Sequence, residues 1–295
     1  MKRFNSIVFA LAAGCAFAIS SHATDTIYAY DTWADGNRTS GTPGAGGDTP
    51  WYASAGAALS GTMVATLPTG SFTFLTYFAL DSAPITLANT GDELKVTWTF
   101  NATGINANNT SQTFNFAVVD TPTANVLTAD STSPASGVYN GYSMFSNMGR
   151  TLGNGNPFQL KKWGGASTDF LGHQGNWTAL GNGATSGNTG YANGTSYTYV
   201  FDAVRNASGG LDITSSMTGG SLNGTGTATV SFTDTTPAAY TFDTFAVRPS
   251  ASSSTAAVLN TTFFEAELIT VPEPATFVLA GLGLLGLVGL RRIRR

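Results

Sequence analysis

Residues 94–100 read Leu-Lys-Val-Thr-Trp-Thr-Phe, and this alternation puts Leu94, Val96, Trp98 and Phe100 on one face of an extended chain while Lys95, Thr97, Thr99 and Asn101 take the other. The period of two recurs in Phe114, Phe116 and Val118, in Tyr197, Tyr199 and Phe201, in Ala228, Val230 and Phe232, and in Phe264, Ala266 and Leu268. Further strand candidates are residues 27–33, 61–67, 71–80, 138–145, 158–163, 210–217 and 240–248. No amphipathic helix is legible between residues 24 and 270 to cover the apolar faces, so the strands must cover one another. The expected fold is all-β, a single two-sheet antiparallel β-sandwich.

The connecting segments agree. Residues 41–50 (GTPGAGGDTP) and 181–195 (GNGATSGNTGYANGT) are rich in residues that accept turn geometry, and the second is long enough to be an exposed edge or rim loop. No internal repeat or Pro-rich linker divides the chain, so residues 24–270 are expected to form one domain.

Both ends read as targeting segments. Lys2 and Arg3, an apolar run from Ile7 to Ile19 and the small-residue site Ser21-His22-Ala23 predict a secretory signal peptide, residues 1–23, cut after Ala23. A lipoprotein-type box around Cys15 is the competing expectation, with that cysteine lipidated. Otherwise Cys15 leaves with the signal and the exported chain has no disulfide to stabilise it. At the other end, residues 271–295 begin with Val271-Pro272-Glu273-Pro274 and continue into an uncharged run, Ala275 to Leu290. As a helix that run would span about 24 Å, a short transmembrane segment that needs snorkelling or local thinning of a core about 30 Å thick. Arg291, Arg292, Arg294 and Arg295 would keep the C-terminus cytoplasmic and the domain outside. A plain one-pass anchor is the alternative.

The order of Pro-Glu-Pro, apolar helix and arginine cluster resembles the PEP-CTERM sorting signal of exported bacterial proteins. That resemblance implies that Pro272, Glu273 and Pro274 are recognised by an exosortase-like membrane transpeptidase, and that the protein passes from an inner-membrane anchor to the cell surface or matrix in company with exopolysaccharide. The two prolines keep the motif extended, as a recognised peptide should be. LPTG at 67–70 lies mid-chain and is expected to be a turn. The succession WADGNRT, TYFAL, LKVTWTF, FNFAVVD, FDTFAVRP and FFEAELI further resembles concanavalin-like or laminin-G-like jelly rolls, which implies a jelly-roll ectodomain.

Residues 24–270 carry seven basic and sixteen acidic side chains, a net charge of −9, which disfavours nucleic acid as a partner. His173 is the one histidine outside the signal, too few for a His-rich metal site. No Gly-x-Ser-x-Gly elbow and no paired-acid strand signature is present; Glu265 and Glu267 share one strand face and are expected to be solvated, and Asp92-Glu93 to sit in a turn. No catalytic residue and no cofactor is expected, with calcium the one ion that loop oxygens at Asp31, Asp35 and Asn37 could hold. A sugar platform could use Trp163, Trp177 and Tyr191 beside Asp169, Gln174 and Asn176, although large aromatics more often pack a core. The leading expectation is a non-enzymatic surface or extracellular-matrix protein; a lectin-like carbohydrate-binding module comes second, and a glycoside hydrolase or lyase third.

Overall fold

In the computed structural model, which describes residues 23–271 except 55–57, 108, 131–138, 166–169, 173 and 184, the strands are β1 (Thr24–Asp31), β2 (Trp51–Ala53), β3 (Ala58–Leu59), β4 (Val64–Thr66), β5 (Phe74–Tyr77), β6 (Ile85–Thr86), β7 (Glu93–Thr103), β8 (Phe114–Asp120), β9 (Asn140–Ser146), β10 (Phe158–Trp163), β11 (Trp177–Asn182), β12 (Ser196–Arg205), β13 (Leu211–Thr218), β14 (Thr227–Asp234), β15 (Thr241–Phe242), β16 (Thr244–Pro249) and β17 (Val258–Thr270). Helix among the described residues is limited to three single turns at 123–125, 174–176 and 222–224. The expected signal peptide up to residue 22, the Pro272-Glu273-Pro274 motif and the expected 275–290 membrane span lie outside the described residues. No helix among those described is long and apolar enough to cross a membrane.

Two large antiparallel sheets form the expected sandwich. The first runs β14-β13-β12-β7-β17-β4-β3, with β1 pairing along the second half of β17; the second runs β11-β10-β9-β8-β16-β5-β2. A core of fully buried rings lies between them. Trp98 has Phe74, Phe100, Phe114, Phe116 and Phe245 around it at centroid distances of 4.3 to 6.5 Å. Its indole N–H is paired, donating to Thr261 Oγ1 at 3.2 Å.

Sequence periodicity anticipated the long strands and missed β2, β3 and β6, whose two or three residues are too few to display a period, and β11, whose Trp-Thr-Ala-Leu-Gly-Asn does not alternate. The 61–67 segment shrinks to three residues because Met63 turns with φ +57°. The 240–248 segment breaks in two at Asp243, whose carboxylate is buried and bonded to the Thr121 N–H and the Thr244 hydroxyl.

One expectation fails outright. Strands were expected to bury one face only, yet Asn115, Ala117 and Val119, on the second face of β8, are buried as well. Residues 126–127, Tyr139 and 170–171 fold over the outside of the second sheet and seal a separate cluster with Leu75, Phe145, Trp163, Trp177 and Ala246. Half of that sheet thus has core on both sides.

Register fixes which loops share an end. Thr24 faces Thr270, so the chain enters and leaves the unit of residues 24–271 at one end, which we call the base. Because neighbouring strands are antiparallel, the connections at 104–113, 147–157, 183–195, 219–226 and 250–257 gather at the opposite end, the crown. Backbone hydrogen bonds between Asn106 and Thr255, Arg150 and Asn106, Gly190 and Arg150, and Asn223 and Thr189 lock them to one another.

Candidate binding cleft

Where β11 meets β14, one side of the sandwich is closed by glycine. A Cβ on Gly183 would lie 3.2 Å from Thr229 O, and one on Gly181 would lie 3.1 Å from a Val230 methyl, so the two segments approach closely and a side chain at either position would press on its neighbour. Toward the base the same side opens. The result is a cleft of about 390 Å³ lined by Lys162, Trp163, Thr178, Leu180, Phe232 and Asp234, with the threonines at 233, 235 and 236 at its rim.

An ion pair bridges the two sheets inside this cleft. Lys162 on β10 reaches Asp234 at the end of β14, with Nζ 2.8 Å from Oδ2, and also donates to Thr236 O. Tyr142 Oη donates to Asp234 Oδ2 at 2.7 Å and the Thr236 N–H to Oδ1 at 3.0 Å. Burial opposes ionisation of Asp234, but these bonds outweigh it and hold its carboxyl below the usual range. The same burial and the adjacent carboxylate push the Tyr142 hydroxyl up, so it remains a donor. The cleft therefore offers an internally neutralised ion pair, several hydroxyls and the edge of Phe232. Sequence reasoning missed Lys162, Asp234 and Phe232 because they come from different sheets.

Of the residues expected to bind sugar, Trp163 borders this cleft, yet the sugar platform is corrected. Trp163 and Trp177 face each other across the β10–β11 pair and pack edge to face at 4.9 Å beneath Phe170, 6% and 3% exposed. Trp177 Nε1 donates to Phe170 O at 3.0 Å, which ties it to the covering segment. Tyr191, 1% exposed, points between the sheets against Tyr197 and Phe114. None of the three presents a ring face to solvent; Asn176 accepts the Gly164 N–H through its carbonyl, and Asp169 and His173 lie outside the described residues. The 183–195 loop is correspondingly more than an exposed rim, since it delivers Tyr191 to the core.

The calcium candidates do not converge either. Asp35 accepts the Asn37 N–H at 2.9 Å and the Ser40 hydroxyl at 2.9 Å, and Asn37 Oδ1 turns to the Thr39 N–H at 3.0 Å. Asp31 is buried, with Oδ1 on the Trp33 N–H at 2.6 Å; burial, then nearby Asp48 and Asp35, push its carboxyl up to about 6. Apart from Asp31 Oδ2, which is buried without a partner, these oxygens serve local turns, and no group of three acidic, histidine or cysteine side chains among the described residues is arranged to hold a metal.

Glu265 and Glu267 stand on the outward face of β17, a central strand of the first sheet. Glu267 Oε1 lies 2.7 Å from Lys95 Nζ. Asp202, opposite Lys95 on β12, is pushed up to about 6 by burial and then by Glu93. Asp92 lies in a turn, its Oδ2 accepting the Asn89 N–H at 2.7 Å.

Comparison with known proteins adds the following. The PEP-CTERM protein-sorting motif matches residues 270–295, so the C-terminus is a sorting signal of that type. No curated protein matches the chain. Among solved structures it is similar to the carbohydrate recognition domain of Emp47p, at 11% identity over 78% of this chain and 92% of that one, TM-score 0.42. It is also similar to peanut lectin in complex with a nine-residue peptide, at 9% identity over 85% and 100%, TM-score 0.45. A third is arcelin-5, a lectin-like defense protein from Phaseolus vulgaris, at 13% identity over 84% and 99%, TM-score 0.41.

Proposed function

We propose that the protein is an exported bacterial surface or extracellular-matrix component, sorted through its tail by an exosortase-like membrane transpeptidase and structural in role, in association with exopolysaccharide. The observation that carries this reading is the sorting motif itself, which begins at Thr270, the last residue of β17. The sandwich ends where the signal starts, without a spacer, so the domain is the cargo and the tail its address. On this reading Pro272-Glu273-Pro274 would be the motif the transpeptidase recognises, residues 275–290 the span that holds the chain before processing, and the four arginines its orientation. A secretory signal cut after Ala23 would leave Thr24, the first residue of β1, as the new N-terminus.

A non-enzymatic role is supported by the state of the carboxylates, since Asp234 is neutralised by Lys162 and Glu267 by Lys95. A second reading, carbohydrate binding, is favoured by the side cleft, where threonine hydroxyls and an ion pair flank the Phe232 ring.

Glu273→Ala tests the sorting reading. Mass spectrometry and cell fractionation should find the variant unprocessed in the membrane while the wild type is shortened and released to the surface. A variant of normal mature mass at its normal location would remove the proposal.

A further inference from the structure

A second cleft, about 360 Å³, opens in the crown between residues 152–155 and 185–188, with Leu152, Asn154, Gly155, Ser186 and Asn188 in its lining. Its walls are held from behind by two buried asparagines. Asn147, 0% exposed, accepts the N–H groups of Gly153 and Asn154 at 3.0 and 3.3 Å and donates to Asn109 O and Ser111 O, both at 2.9 Å. Asn223, 2% exposed, accepts the N–H groups of Ser186 and Gly187 at 2.9 and 3.4 Å and donates to Thr227 O at 3.1 Å. The two walls are joined at the floor by Leu152 N–H to Asn188 O at 2.7 Å. Gly190 allows this approach, since a Cβ there would fall 1.9 Å from Gly149 O. The backbone of the cleft is therefore preorganised, while Thr185, Ser186 and Asn188 are exposed and no side-chain hydrogen bond among the described residues holds them.

The chemistry of the crown is as uneven as its geometry is fixed. In a chain with 17 acidic residues, the five crown segments contain none, and Arg150 is their only charged side chain. The lining has neither the carboxylates on which divalent-cation sites are usually built nor the basic groups that a polyanion needs. It also lacks the exposed aromatic or guanidinium anchors on which protein interfaces depend, Arg150 lying outside the lining. Amide and hydroxyl groups both donate and accept, as sugar hydroxyls do. We propose that this cleft binds a neutral glycan chain. It opens at the end of the sandwich opposite to Thr24 and Thr270. The proposal is independent of the side cleft.

Affinity electrophoresis of the exported protein in gels containing dextran, mannan, xylan or β-1,3-glucan, with alginate and polygalacturonate for comparison, tests it. Retardation in at least one neutral gel is expected, weakened about tenfold by Ser186→Ala/Asn188→Ala, roughly the loss of one to two hydrogen bonds. Melting of that variant should match the wild type, since neither side chain supports the fold. Retardation in the acidic gels alone, in none of the gels, or equal for the variant and the wild type would overturn the proposal. So would loss on Lys162→Ala while the crown variant still binds, which would assign the glycan to the side cleft.

Discussion

Asp243 shows how one side chain can break a pattern and set a property. The alternation of residues 240–248 predicts a single strand, but this carboxylate, 0% exposed, divides it into β15 and β16. Its Oδ2 has no partner, and burial pushes the group up to about 7 from 3.8, against the hydrogen bonds from Thr244 and Thr121. A carboxyl that binds its proton more tightly folded than unfolded contributes stability that is complete below the unfolded value and lost as pH rises through the folded one. Asp31 and Asp202, both raised to about 6, act in the same direction. The melting temperature should therefore fall between about pH 4 and pH 8, and Asp243→Asn should flatten that slope. The Asp243 share is on the order of 4 kcal/mol. Calorimetry across this range decides it, and a wild type more stable at pH 8 than at pH 5 would contradict the assignment.

At the scale of elements, the second sheet departs most from its sequence. Alternation in Phe-Asn-Phe-Ala-Val-Val-Asp assigns Phe114, Phe116 and Val118 to the core, which is where they lie, but carries no information about what covers Asn115 and Ala117. That depends on Leu171, whose carbonyl accepts from Asn115 Nδ2 at 3.2 Å, more than fifty residues away. Trp163 and Trp177 fall under the same cover. Trp177→Ala should then cost about 3–5 kcal/mol, as for other buried large-to-small changes, a loss that urea unfolding would reveal. A solvent-exposed platform residue would leave stability nearly unchanged.

For the whole molecule, the decisive element is the last one. β17 pairs with β7 on one edge and with β1 and β4 on the other, so the first sheet has no centre until residues 258–270 are in place. Removing residues 258–295 should leave an unfolded, protease-sensitive product, whereas removing 272–295 should leave the sandwich intact. Circular dichroism and limited proteolysis separate the two outcomes. The pairing of Thr24 with Thr270 also divides the molecule into a base where the chain enters and leaves and a crown without carboxylates.

The sorting signal and the all-β class were legible in the chain alone, because a targeting peptide acts as linear sequence and strand periodicity is a local property of side-chain direction. Both clefts were not. The side cleft needs Lys162 and Asp234 from opposite sheets, and the crown cleft needs Asn147 and Asn223, 76 positions apart, behind one pair of loops. Each loop's lack of charge can be read from its letters, but that the five loops share one end follows from antiparallel register, which only the folded pairing of distant strands determines.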